Sequence, residues 1–210
     1  WGLAMQDDIT DGVREMVRRG VADPARVCIY GASYGGYAAL WGAIRTPEVY
    51  RCAASLAGVS DLESWVSGSL FDDSDAMARE VKRVRIGDPA TQRELFARVS
   101  PLRQAARAQI PIFIAHGEED TRVLISQSEK MVSALKAAGK TVEWLPLPHE
   151  GHGLYYTDSR KTYYAALLSF LERYLGDAAR PGDAPAVTAA ASVPAEDSSR
   201  SSAGSRSPAQ

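Results

Sequence analysis

A serine between glycines, three histidines and a cluster of carboxylates are the residues of this chain best suited to covalent chemistry. Gly31-Ala32-Ser33-Tyr34-Gly35 fits the Gly-x-Ser-x-Gly pattern, which exposes a serine hydroxyl at a sharp turn between a strand and a helix. Such a hydroxyl becomes nucleophilic near neutral pH only beside a base, and the base needs an acid to orient it. Pro148-His149-Glu150-Gly151-His152-Gly153 offers two bases. His152 is the favoured one, because glycines on both sides suit an exposed imidazole; His149 is the competitor, and otherwise a surface histidine. For the acid, His116-Gly117-Glu118-Glu119-Asp120 presents three carboxylates. Asp120 lies farthest along, directly before Thr121-Arg122-Val123, while Glu118 and Glu119 stay open on chemistry alone. His116 itself reads as a hydrogen-bonded structural histidine. No Cys/His pair has zinc spacing, so neither a metal nor a cofactor is expected.

The surrounding pattern says which elements hold these residues. Residues 26–30 form a short apolar run bounded by Pro24 and Gly31, which predicts a buried strand. In residues 34–45, Tyr37, Leu40, Trp41 and Ile44 recur at helical spacing until Pro47 ends the run. Ser33 therefore sits where strand must turn into helix. Glycines at 31 and 35 would relieve crowding there, Gly36 would allow close approach, and the Tyr34 amide would face a developing oxyanion. Further strands are expected at 52–57, 112–115 and 141–147. Helices are expected at 5–19 (Ile9, Val13, Met16 and Val17 inward), 125–138 (Met131, Val132 and Leu135 inward) and 161–175. Residues 59–109 read as mostly helical, with Asp88-Pro89 and Ser100-Pro101 as helix starts. Alternating helices and strands predict an α/β fold with a mainly parallel sheet flanked by helices, and the order serine, acid, histidine is the one α/β hydrolases use.

Bulk properties narrow the partners. The 210 residues are 45% apolar and 24% charged, with a formal net charge of -2, so nothing suggests a nucleic-acid partner or an anionic membrane surface. No apolar run reaches the roughly 18 residues of a membrane span. Cys28 and Cys52 lie in or beside apolar runs and read as two buried, reduced thiols. Residues 177–210 contain no Leu, Ile, Met or aromatic residue and are rich in Ala, Ser and Pro, which predicts a disordered tail. A start at Trp1, with a helical pattern almost at once, reads as a piece of a longer chain and leaves localisation open.

Three ordered motifs resemble the catalytic domain of the prolyl oligopeptidase family of serine peptidases. They are Gly31-Ala32-Ser33-Tyr34-Gly35-Gly36-Tyr37-Ala38, His116-Gly117-x-x-Asp120-x-x-Val123 and Glu150-Gly151-His152-Gly153. Trp1-Gly2 with Asp7-Asp8, and Gly58-Val59-Ser60-Asp61-Leu62, add to the likeness, which covers about residues 1–175. The resemblance matches Asp120 to the family's acid. It implies an α/β-hydrolase domain whose first strands lie upstream of Trp1, making residues 1–176 a partial catalytic domain, with a β-propeller in the parent chain. It also implies a second oxyanion donor from an upstream tyrosine that no residue here matches; one such donor is worth roughly 10²–10³ in rate. Tyr34, Val59, Leu62, Trp65 and Val123 would line the pocket for the residue before the scissile bond, and Arg122 would contact the substrate. Leu124 stands where many members have proline. The implied reaction is peptide hydrolysis on a dipeptidyl, acylaminoacyl or oligopeptide substrate. A carboxylesterase of the same fold and a non-catalytic remnant are the alternatives.

Overall fold

The computed structural model describes residues 1–68 and 76–176. The expected tail at 177–210 lies outside the described residues. Four strands, β1 (Cys28–Ala32), β2 (Cys52–Leu56), β3 (Ile112–Gly117) and β4 (Val142–Leu147), form one sheet in the order β1-β2-β3-β4, every pair parallel. Parallel neighbours need crossovers, and helices supply them. Here α2 (Tyr34–Arg45) joins β1 to β2, and α6 (Ser126–Ala137) joins β3 to β4. Between β2 and β3 the chain runs through α3 (Leu62–Gly68), α4 (Ala76–Ile86), α5 (Arg93–Val99) and a 3-10 helix at Pro101–Arg107. The flanking helices are α1 (Ala4–Arg18) and α7 (Thr157–Leu175).

The two-residue period of the strands divides the core into two layers. Ala53, Ile112, Ile114 and Val142 face the crossovers, packing with Tyr37, Leu40, Met131 and Leu135. Cys52, Ala54, Phe113, Ala115 and Leu147 face the other way, against Tyr163, Leu167, Phe170 and Tyr174 of α7. Because helices cover both faces, β2 and β3 are apolar along most of their length.

Three expectations differ from the structure. Cys28 and Cys52 are not free thiols: they are register partners on adjacent strands, and their sulfurs form a disulfide across a Cα separation of 4.7 Å. Strand register brings them together, and register is invisible in spacing alone. The Asp88-Pro89 step forms a turn rather than a helix start. The Asp88 carboxylate accepts from the Ala90 amide, its carbonyl accepts from Thr91 and Gln92, and α5 begins only at Arg93. The orientation of α1 also differs from its apolar stripe, since Met16 is exposed while Gln6 and Thr10 are buried. Gln6 is accommodated because its side-chain nitrogen donates to the Ala38 carbonyl at 3.2 Å, a polar tie to α2.

Close backbone packing puts α2 on the sheet. A Cβ at Gly31 would strike the Gly35 backbone, and one at Gly36 would lie 2.7 Å from Gly58 Cα and 2.8 Å from Ser55 Oγ. The space around Gly35 is open, so the crowding there is relieved at Gly31. Gly36→Ala is expected to destabilise the protein by about 1–3 kcal/mol through overpacking, read as a lower urea midpoint with an unchanged m-value.

Candidate active site

Ser33 occupies the single residue between β1 and α2, with φ 56° and ψ -117°. This is a strained conformation for a residue with a Cβ, and it lifts the hydroxyl clear of both elements. The turn is held by the Ser33 amide donating to the Leu56 carbonyl of β2 at 2.9 Å. Tyr34 opens α2, so its amide is a first-turn donor without a partner inside the helix, and the positive end of the helix dipole lies behind the hydroxyl.

The three residues expected to act together are hydrogen-bonded in series. The His152 Nδ1–H donates to Asp120 Oδ2 at 2.7 Å, which leaves Nε2 as the acceptor for the Ser33 hydroxyl at 2.9 Å. His149 and the two glutamates are placed elsewhere. The His149 ring, Glu118 and Glu119 are exposed, and His149 lies 3.2 Å from Glu119.

Asp120 is buried, and its two oxygens meet four donors. Oδ1 accepts from the Arg122 and Val123 amides, both at 2.9 Å. Oδ2 accepts from His152 and, at 3.1 Å, from His116 Nε2. Burial by itself would raise the Asp120 pKa. The hydrogen bonds from His116, His152 and the Val123 amide outweigh it and hold the carboxyl well below the usual range.

The loop carrying His152 is braced by Glu150, a fully buried carboxylate that accepts from the Tyr155 amide at 2.7 Å and the Tyr156 amide at 2.8 Å. Burial raises its pKa, but these two amides, with Ser159 and Arg160, bring it below the ordinary value. Gly117 has no room for a Cβ because the Glu150 and Gly151 carbonyls pack against it, so the acid and base loops are in direct contact. Nothing in the local pattern around His116 or Glu150 announced these contacts.

The residues expected around the substrate divide into two groups. Val59, Leu62 and Val123 are buried in the core layer under α2. Tyr34 and Trp65 are half-buried on that layer, with the Trp1 indole between them at ring distances of 4.6 Å and 5.4 Å. Arg122 is exposed, and its carbonyl accepts from Trp65 Nε1 at 3.2 Å. A separate cavity of about 440 Å³, lined in part by Trp41, Arg45, Arg98 and Arg107, lies toward the other end of α2. Among the described residues, no group of His, Cys, Asp and Glu could hold a metal ion, and no helix is long and apolar enough to cross a membrane.

A parallel sheet with a strained serine between strand and helix defines the α/β-hydrolase class. The chain belongs to the prolyl oligopeptidase family, whose model matches residues 1–178. It is 33% identical over 189 residues to dipeptidyl aminopeptidase BIII of Pseudoxanthomonas mexicana, covering 86% of this chain and 26% of that protein. Dipeptidyl peptidase family member 6 of Caenorhabditis elegans is 33% identical over 183 residues, covering 86% and 25%. Among solved structures, a Mycobacterium tuberculosis puromycin-hydrolyzing peptidase superposes with a TM-score of 0.76 at 30% identity, covering 86% of this chain and 27% of that one. Pyrococcus horikoshii acylaminoacyl peptidase gives 0.76 at 27% identity, covering 87% and 30%. The chain thus spans about a quarter of the length of the curated relatives it matches.

The Asp120 geometry sets a pH dependence. A carboxyl whose native pKa is depressed adds stability that is fully present above its unfolded pKa, about 3.9, and is lost as pH falls toward the native value. Asp120→Asn is therefore expected to flatten the acid side of the stability profile below about pH 4, measured as urea midpoints from pH 2 to 7.

Proposed function

We propose that residues 1–176 are the C-terminal part of a serine peptidase catalytic domain, with Ser33 as nucleophile, His152 as general base and Asp120 as orienting acid. The observation that carries this reading is the unbroken series Ser33–His152–Asp120, at 2.9 Å and 2.7 Å. Its named relatives, including dipeptidyl peptidases, support a peptide substrate.

Each step has a residue on hand. The Ser33 hydroxyl adds to the substrate carbonyl as its proton passes to His152 Nε2, and the buried Asp120 carboxylate stabilises the imidazolium that forms. The Tyr34 amide donates to the oxyanion. His152 then gives its proton to the leaving amine, the acyl group stays on Ser33, and a water activated by His152 releases it. An apolar side chain before the scissile bond would rest on the aromatic surface formed by Tyr34, Trp1 and Trp65, above the floor made by Val59, Leu62 and Val123, with Arg122 at the rim for a substrate carbonyl or carboxylate.

In the intact protein, a fluorophosphonate probe should label Ser33, and Ser33→Ala should abolish labelling and lower peptide hydrolysis by about 10³-fold or more. Labelling that survives the substitution would sink the assignment. Aminoacyl anilides should be cleaved in preference to short acyl esters; the reverse preference would favour a carboxylesterase.

A further inference from the structure

The first turn of α6 carries two adjacent buried side chains, Gln127 and Ser128, that do not serve their own helix. Gln127 Oε1 accepts from the Ser60 amide at 2.9 Å and the Asp61 amide at 2.7 Å. Its Nε2 donates to the Asp61 carbonyl at 3.2 Å and to Ser64 Oγ at 2.9 Å. The Ser60 hydroxyl donates to the Gln127 carbonyl at 2.6 Å. Every hydrogen-bonding site of the amide is thus used, and every partner lies in residues 60–64. That segment leads from β2 into α3, contains Leu62 and is bordered by Val59 and Trp65.

Ser128 serves the opposite side. The Val123 carbonyl can only accept, so the His116 nitrogen 2.7 Å from it, Nε2, carries a proton, which it shares with Asp120 Oδ2. Its other nitrogen, Nδ1, lies 2.7 Å from the Ser128 hydroxyl. The Ser128 hydroxyl therefore pins the second nitrogen of the ring whose Nε2–H donates to Asp120. The Trp65 to Arg122 hydrogen bond closes the circuit between the two segments.

We propose that Gln127 and Ser128 are positioning residues with separate tasks: Gln127 sets the apolar surface that selects the substrate side chain, and Ser128, through His116, sets the acid. This rests on the peptidase reading above. It predicts that two neighbours on one helical turn affect different kinetic constants, which a shared contribution to folding would not do.

The test uses the intact protein, with anilides carrying a bulky or a small residue before the scissile bond and a short activated ester. Gln127→Ala is expected to lower kcat/KM for the bulky anilide by about tenfold through KM, leaving the ester within about twofold. Ser128→Ala is expected to lower kcat by about tenfold on all three substrates with KM unchanged, and Ser128→Thr, which keeps the hydroxyl, to recover it. Equal losses on every substrate in both variants, tracking the loss of folded protein by urea midpoint, would overturn the proposal. Wild-type labelling by fluorophosphonate separates the two levels. If the unsubstituted protein labels at Ser33 but the variants show no split, only the positioning roles fall; if it does not label, the peptidase reading falls and takes them with it.

Discussion

A carboxylate taken out of water must have its lone pairs filled, and in this protein that requirement organises the site end of the sheet. Asp120 draws its donors from three places: the backbone of its own loop, His116 at the end of β3, and His152 on the loop after β4. Removing any one leaves a buried charge partly unsatisfied, which costs more than the lost bond alone. The loop after β3 must therefore curl back so that the Arg122 and Val123 amides face the carboxylate. The loop after β4 must bring an imidazole to within hydrogen-bond reach. Glu150 repeats the same logic one step further out, as a buried anion whose donors are the amides that lead into α7.

The nucleophile end is governed by sterics instead. Ser33 holds a backbone conformation that costs of order 1–3 kcal/mol, so neighbouring contacts have to over-determine it. They do so by backbone proximity, with Gly31 against Gly35 and Gly36 against Gly58, and by the Ser33 amide bonded to the Leu56 carbonyl on β2. The parallel sheet brings the two ends together. With β1, β2, β3 and β4 side by side and all running one way, every C-terminal strand end opens on the same edge.

Features with a period or a punctuation mark were legible in the chain. The apolar runs of β2 and β3, the helical stripes of α2 and α6, and the Gly-x-Ser-x-Gly turn located the framework within a residue or two. The candidate serine and histidine stood out because glycines flank them, whereas Asp120 shared its loop with two other carboxylates and needed the family's motif to single it out. What stayed hidden depends on pairing between distant segments. The Cys28–Cys52 bridge follows from register, and the burial of Gln6 and Thr10 from where α1 meets α2. Gln127 reads in the chain as an ordinary polar position on an amphipathic helix, and its clients in residues 60–64 are more than sixty residues away.

The bridge between β1 and β2 has a topological effect. Its sequence separation of 24 encloses the whole first strand, the serine, all of α2 and the entry to the second strand in one covalent ring. A backbone cut anywhere inside that ring leaves both pieces tethered to each other, so a nick in the connection after α2 cannot release the helix and its serine from the sheet. While the bridge is intact, the strand–helix–strand unit that bears the hydroxyl behaves as a single closed loop of chain.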